Sequence, residues 1–174
     1  VEKVSEAIEA IKYPNVKSIQ IIFNIFRQKP SEEFFKEAAK RNIAIIVRVP
    51  LASGLLTGKM NKHSTFPPND HRNYNVEGKA FDIGETFSGV PLDKGLLAVE
   101  ALKKILPNDY SLTELSLKWI LMHPEVSVVI PGAKTSDQVL KNIQASEKNS
   151  IEILMKKIES VYSEFIKDFV HNNW

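Results

Sequence analysis

Lys134 stands in a setting built for an anion. It follows the β-branched run "VSVVIP", Val126 to Pro131, then Gly132 and Ala133, and it precedes Thr135 and Gln138, whose T-x-x-Q spacing opens a helix. Gly132 lets a backbone come close to a ligand, Lys134 supplies a point charge, and the free amides of a helix's first turn carry partial positive charge. A phosphate suits those parts. Taken alone, Pro-Gly followed by Thr reads equally well as a plain turn and cap, because such helix starts are common. A second stretch tips the balance. "RVPLASGLLTGKM", Arg48 to Met60, also closes a β-branched run and brings small residues, Ser53 and Lys59 to a strand end. It is not a P-loop: three residues, not four, separate Gly54 from Gly58, and Met60 follows the lysine where a Ser or Thr is required.

These two stretches need elements that bring them together. Val4, Ala7, Ile8 and Ile11 form a helical stripe that stops before Pro14. Residues 16–23, 43–50 and 126–131 are rich in β-branched residues and nearly continuous in apolar character, as parallel strands covered on both faces are. Ser31 is placed to cap a helix carrying Phe34, Phe35, Ala38 and Ala39 to Asn42. Helices are expected over 95–106 and 112–122, the second with a capping box of Ser111 and Glu114, then from Thr135, and finally along the stripe Ile151, Leu154, Met155, Ile158, Val161 and Phe165. Residues 58–94 are polar and rich in Pro, Asn, Asp and Gly, a connection long enough to be a lid or disordered.

Strands alternating with helices require a parallel sheet with right-handed crossovers. A short doubly wound sheet fits, and so does the C-terminal portion of a (β/α)8 barrel, which closes only with roughly 250 residues. No G-x-G-x-x-G follows a strand, so the α/β barrel portion is favoured, with 1–174 as one partial domain. In such folds chemistry sits at the carboxyl ends of the strands: Gln20 and Asn24, Arg48 to Gly54, and Gly132 to Asn142.

Composition excludes several classes. At 174 residues and 43% hydrophobic, the chain has material for one core. Its 23 basic and 21 acidic residues are interspersed, unlike a nucleic-acid or anionic-membrane binder, and its apolar runs are too short to span a bilayer. With no cysteine there is no disulfide, thiol nucleophile or Cys-ligated zinc, which fits a reducing, cytoplasmic compartment. No histidine pair has metal-ligand spacing. Val1 falls straight into a helical pattern, so the chain is expected to begin in the middle of something.

The stretches "VRVPLASGLLTGK", "NDHRNYN", "GETFSGVP" and "VSVVIPGAKTSDQVLKNIQA", with the ending "FVHNNW", resemble the aldo-keto reductases, NADPH-dependent oxidoreductases built on a (β/α)8 barrel. The resemblance covers essentially the whole chain and implies that its strands are the last three of the barrel. It further implies that Gln20 holds the nicotinamide carboxamide and that Pro50, Leu51, Ala52 and Ser53 carry the pyrophosphate. Gly132, Ala133, Lys134 and Thr135 then bind the 2'-phosphate and ribose, Gln138 and Asn142 face the adenine, and Lys59 and Arg72 close over the phosphates. NADPH is implied over NADH, since Lys134 gains nothing from a bare hydroxyl. Arg48 departs from the family, which places an aromatic ring there; a guanidinium can stack or serve a phosphate.

The family's acid tyrosine, with its lysine, aspartate and histidine, comes from early strands that these residues do not supply. Tyr13, Tyr74, Tyr110 and Tyr162 read as packing or surface residues away from the strand ends. The expectation is therefore the NADPH-binding part of a reductase of aldehydes and ketones, inactive alone and prone to self-association through unpaired sheet edges. Two alternatives stand beside it: a non-catalytic NADPH-binding sensor of the same fold, and a half-barrel that binds phosphorylated metabolites.

Overall fold

The computed structural model describes all residues from Val1 to Trp174. Three parallel strands, β1 (Ser18–Ile22), β2 (Ala44–Arg48) and β3 (Val126–Val129), form one sheet in the order β1-β2-β3. Each is shorter than the apolar run that contains it. The register pairs Ser18 with Ala44 and Ile22 with Arg48, and Ile45 with Val126, with an irregularity between Ile45 and Ile46 on the β3 side.

The helices are α1 (Val4–Ala10), α2 (Phe34–Lys40), α3 (His71–Tyr74), α4 (Leu92–Ile105), α5 (Leu112–Leu121), α6 (Ser136–Glu147), α7 (Glu152–Phe165) and α8 (Lys167–Val170). Helix α2 is the crossover between β1 and β2, and its start differs from the sequence expectation. Pro30 and Ser31 belong to a separate 3-10 turn, the Ser31 hydroxyl donates back to the Gln28 carbonyl at 2.8 Å, and Glu33 precedes the helix. Asn42, at φ 53°, ends that stretch and feeds β2.

Ile19, Ile21, Ile45 and Val47 alternate onto the covered face of the sheet and are buried, as a period of two requires. Beneath them Phe23, Phe34, Phe35, Trp119 and His123 form an aromatic cluster. Full burial of each large ring stabilises by about 2–3 kcal/mol. The opposite face is covered only at its carboxyl end: Ile22 is buried, Gln20 is exposed, and Ala44, Ile46 and Arg48 are half-buried. Coverage on both faces, expected from the apolar runs, is thus only partial. β3 departs furthest, with Ser127 and Val128 exposed because it forms a sheet edge. On α6, Val139, Leu140 and Ile143 are exposed as well.

β1 is the other edge. Ala44 donates to the Lys17 carbonyl, so alternation turns the Gln20 carbonyl away from β2, where it accepts from the Val1 ammonium at 3.1 Å. Residues 58–94 pack down instead of hanging free. Asn75, Thr86, Phe87 and Ser88 are buried there, and Asn24 Nδ2 reaches across to donate to both the Val49 carbonyl and the Ser88 hydroxyl at 2.8 Å.

Candidate functional site

At the carboxyl ends of β2 and β3 lies an open groove of about 1530 Å3. The turn after β2 makes its first wall. Val49, Ala52 and Ser53 have φ of 51°, 46° and 55°, and Gly54 has 93°, left-handed backbone that the three non-glycine residues adopt only under constraint. The constraint comes from the Ser53 hydroxyl, which donates to the Glu85 carbonyl and accepts from the Phe87 amide, each at 3.0 Å. Pro50, Leu51 and Ser53 face the groove, whereas Ala52 is wholly buried behind it.

Two cations stand over this wall. Lys59 lines the groove and takes part in no ion pair of the fold. Arg72 stacks on the Phe66 ring at 4.4 Å, is held by Asp70 through Nε at 2.9 Å and Nη2 at 2.7 Å, and points Nη1 at the Ser53 carbonyl at 3.4 Å. That fork holds the Asp70 carboxyl well below the usual carboxylate range and raises Arg72 above its ordinary value.

The opposite wall is the start of α6. The Thr135 hydroxyl accepts from the Gln138 amide at 3.2 Å, the expected cap. Its reciprocal bond is displaced by one residue, because Gln138 Oε1 accepts from the Lys134 amide at 2.6 Å. Gly132, Ala133, Lys134, Gln138 and Asn142 line the groove, and Asn142 Nδ2 reaches the Gly132 carbonyl at 3.5 Å. No protein atom lies within 4 Å of a Cβ built on Gly132, so nothing inside the chain demands glycine there. The backbone there is open to close approach from the groove.

Ten of the fourteen residues singled out in the sequence therefore meet in one groove, and Gln20, Arg48, Ala52 and Thr135 do not line it. Gln20 projects from the open face of β1. Arg48 is tied at both ends: Nη2 pairs with Glu2 at 2.7 Å, and Nη1 pairs with Glu85. With both carboxylates engaged, Arg48 has neither end free for a phosphate. Glu2 and Glu85 themselves line the groove with Asp82, and burial pushes the Glu2 carboxyl up. Lys141 and Thr113 also line it and are absent from the sequence reading. Lys141 was accessible in principle, since the i, i+3 spacing from Gln138 puts both on one helical face; Thr113 has no such signal.

The donor set suits a phosphorylated dinucleotide: unpaired ammonium groups on Lys59 and Lys134, a capped helix start, and a floor of small residues. A family model for the aldo/keto reductases matches residues 1–163. The chain belongs to that family. It is 30% identical over 160 residues to the uncharacterised oxidoreductase YqkF of Bacillus subtilis, covering 92% of this chain and 46% of that protein. It is 32% identical over 148 residues to a probable voltage-gated potassium channel subunit beta of Arabidopsis thaliana, covering 80% and 42%. Among solved structures, the holo form of an aldo-keto reductase from Bacillus halodurans superposes with a TM-score of 0.64 at 27% identity, covering 92% of this chain and 48% of that one. The chain thus spans just under half the length of the curated relatives it matches, and its sheet and helices are a portion of the aldo-keto reductase (β/α)8 barrel. No helix is long and apolar enough to cross a membrane.

Proposed function

We propose that this chain is the NADPH-binding portion of an aldo-keto reductase that reduces aldehydes or ketones to alcohols. One observation carries the reading: Lys59 and Arg72 on one wall and Lys134 on the other converge on a single groove. Lys134, the Thr135-capped start of α6 and the open backbone at Gly132 would hold the 2'-phosphate and ribose. Pro50, Leu51 and Ser53 would carry the pyrophosphate under Lys59 and Arg72, Gln138 and Asn142 would face the adenine, and Gln20 would meet the nicotinamide amide. When bound, the cofactor supplies the hydride for carbonyl reduction.

Alone, the chain does not supply the acid that such a reduction needs. None of its four tyrosines lines the groove. Tyr110 donates to the Asn149 carbonyl at 2.6 Å, Tyr162 is tied to His171 Nδ1 at 3.0 Å, and Tyr13 and Tyr74 are exposed. Burial pushes the Tyr162 hydroxyl up to about 12, the wrong direction for a proton donor near neutrality. The same observation favours a second reading, a binding-only module, and two of the relatives are named as probable potassium channel beta subunits and not as reductases. An upstream D-T-A-x-x-Y-G sequence and a buried lysine in the longer protein would decide for the enzyme.

The test is a fluorescence titration of the chain with NADPH, NADH and a simple sugar phosphate, beside Lys134→Ala. Saturable NADPH binding that weakens by about tenfold in the variant, with NADH poorer, supports the reading, since a charge-assisted phosphate contact of this kind contributes about 1.5–3 kcal/mol. Equal binding of NADPH and the sugar phosphate would replace it with a general phosphate site.

A further inference from the structure

Trp174 lies outside the groove, yet it touches the segment that holds the groove's first wall. Its ring covers the Arg27 guanidinium at 3.8 Å, and its indole Nε1–H donates to Asp82 Oδ1 at 2.9 Å. Asp82 Oδ1 also accepts from the Gly84 amide at 2.7 Å, which starts the turn over Ile83–Glu85. The indole fits against glycine on two sides. A Cβ on Gly89 would meet the ring at 2.5 Å, and one on Gly84 would meet it at 3.0 Å. Arg27 is almost wholly buried, donates Nη2–H to the Ser88 carbonyl at 3.0 Å, and leaves Nε without a partner. Its charge is offset by the face of the indole, by that carbonyl and by Asp82 nearby. Residues 82–89 are therefore gripped from one side by Trp174 and Arg27. Their other side presents the Glu85 carbonyl and Phe87 amide that hold the Ser53 hydroxyl.

We propose that Trp174 is a positioning residue for the pyrophosphate wall: by fixing residues 82–89 it keeps the left-handed turn Val49–Gly54 in the shape that a dinucleotide meets. This rests on the NADPH reading above. Backbone of this kind persists only while its surroundings over-determine it, so loosening 82–89 frees Ser53 and relaxes the turn. The start of α6, on the opposite wall, has no bond to this brace. Loss of Trp174 should then separate the two halves of the ligand.

The experiment compares wild type, Trp174→Phe and Trp174→Ala in the full 174-residue chain. Amide hydrogen exchange is followed without nucleotide, and binding is measured for NADPH and for adenosine 2',5'-bisphosphate, which lacks the nicotinamide side of the pyrophosphate. In Trp174→Ala, exchange should quicken at 52–55 and 85–88. NADPH binding should weaken by about tenfold, and the bisphosphate should change by no more than about twofold. Trp174→Phe, which keeps a stacked ring but loses the N–H donor, should fall between. Unchanged exchange at 52–55, or equal weakening of both ligands, overturns the proposal. Should wild type bind neither nucleotide, the cofactor reading fails by itself, while the exchange comparison still decides whether Trp174 holds the turn.

Discussion

The His123 imidazole stands edge-on to the Phe23 ring, with centroids 4.9 Å apart and planes at 87°, and its Nδ1–H donates to the Trp119 carbonyl at 3.0 Å. Burial lowers the His123 pKa below its ordinary value, and the same cause lowers that of His71, whose Nδ1 lies 3.2 Å from the Thr86 hydroxyl. Between the lowered folded value and the unfolded value of about 6.5, the unfolded chain binds more protons than the folded one. Stability is therefore complete above about pH 6.5 and falls as pH drops below it. Chemical denaturation at pH 7.5 and 5.5 should show the loss. The loss should shrink in His123→Asn, which can keep the donor to Trp119 without titrating. An equal slope in that variant places the titration elsewhere.

Gly84→Ala should destabilise by about 2 kcal/mol, the usual scale for overpacking a filled site. A Cβ there collides with Arg27 Nη2 and meets Asp82 Oδ1 at 2.8 Å, so the buried guanidinium or the half-buried carboxylate must move. The midpoint of urea unfolding, at constant slope, reads this directly. Gly132→Ala, with no protein atom within 4 Å of the new carbon, serves as the neutral control for stability.

Asn24→Ala should cost about 3 kcal/mol. Asn24 is fully buried, accepts from the Phe26 amide at 2.8 Å, and bridges the Val49 carbonyl to the Ser88 hydroxyl. Its removal leaves buried partners unsatisfied. Ser88→Ala, which removes only one of these contacts, should cost less by thermal melt; a reversed order would contradict the bridge.

The chain exposes 9540 Å2, where the size scaling for a compact 19.7 kDa monomer gives about 8,600 Å2. The excess is close to one partner's share of a standard interface, about 800 Å2. Val128 and Ile130 at the end of β3, and Val139, Leu140 and Ile143 on α6, are the exposed apolar side chains that such an interface would cover. Concentration-dependent sedimentation should show self-association that Val128→Lys with Ile143→Glu abolishes. A wild-type chain that sediments as a monomer at all concentrations would rule this out.

Periodicity in the sequence was sufficient to find all three strands and the helices flanking the groove, because those signals lie within a few residues of each other. The capping box at Ser111 and Glu114 forms as read, and so does the Thr135 cap. The edge position of β3 was not legible, since an apolar run looks alike whether or not a neighbouring strand covers it. The clasp of Arg48 by Glu2 and Glu85 and the seat of Trp174 on Arg27 and Asp82 were also hidden. Trp174 lies 92 positions from Asp82 and farther still from Arg27, and no local spacing encodes such a meeting. The family resemblance placed Arg48 at the cofactor, and its two carboxylate partners came only with the fold.

The connection between β2 and β3 also sets a timetable. Strands β1 and β2 with α2 lie within a short local stretch, whereas the Ile45 amide reaches the Ser127 hydroxyl across 82 positions. A ribosome takes on the order of ten seconds to make that many residues. For that interval the nascent βαβ unit presents the bare edge of β2 to its surroundings, with its future neighbour not yet synthesised. Yield in the cell should thus depend on how quickly translation passes through 58–125, and on the chaperones that cover β2 meanwhile.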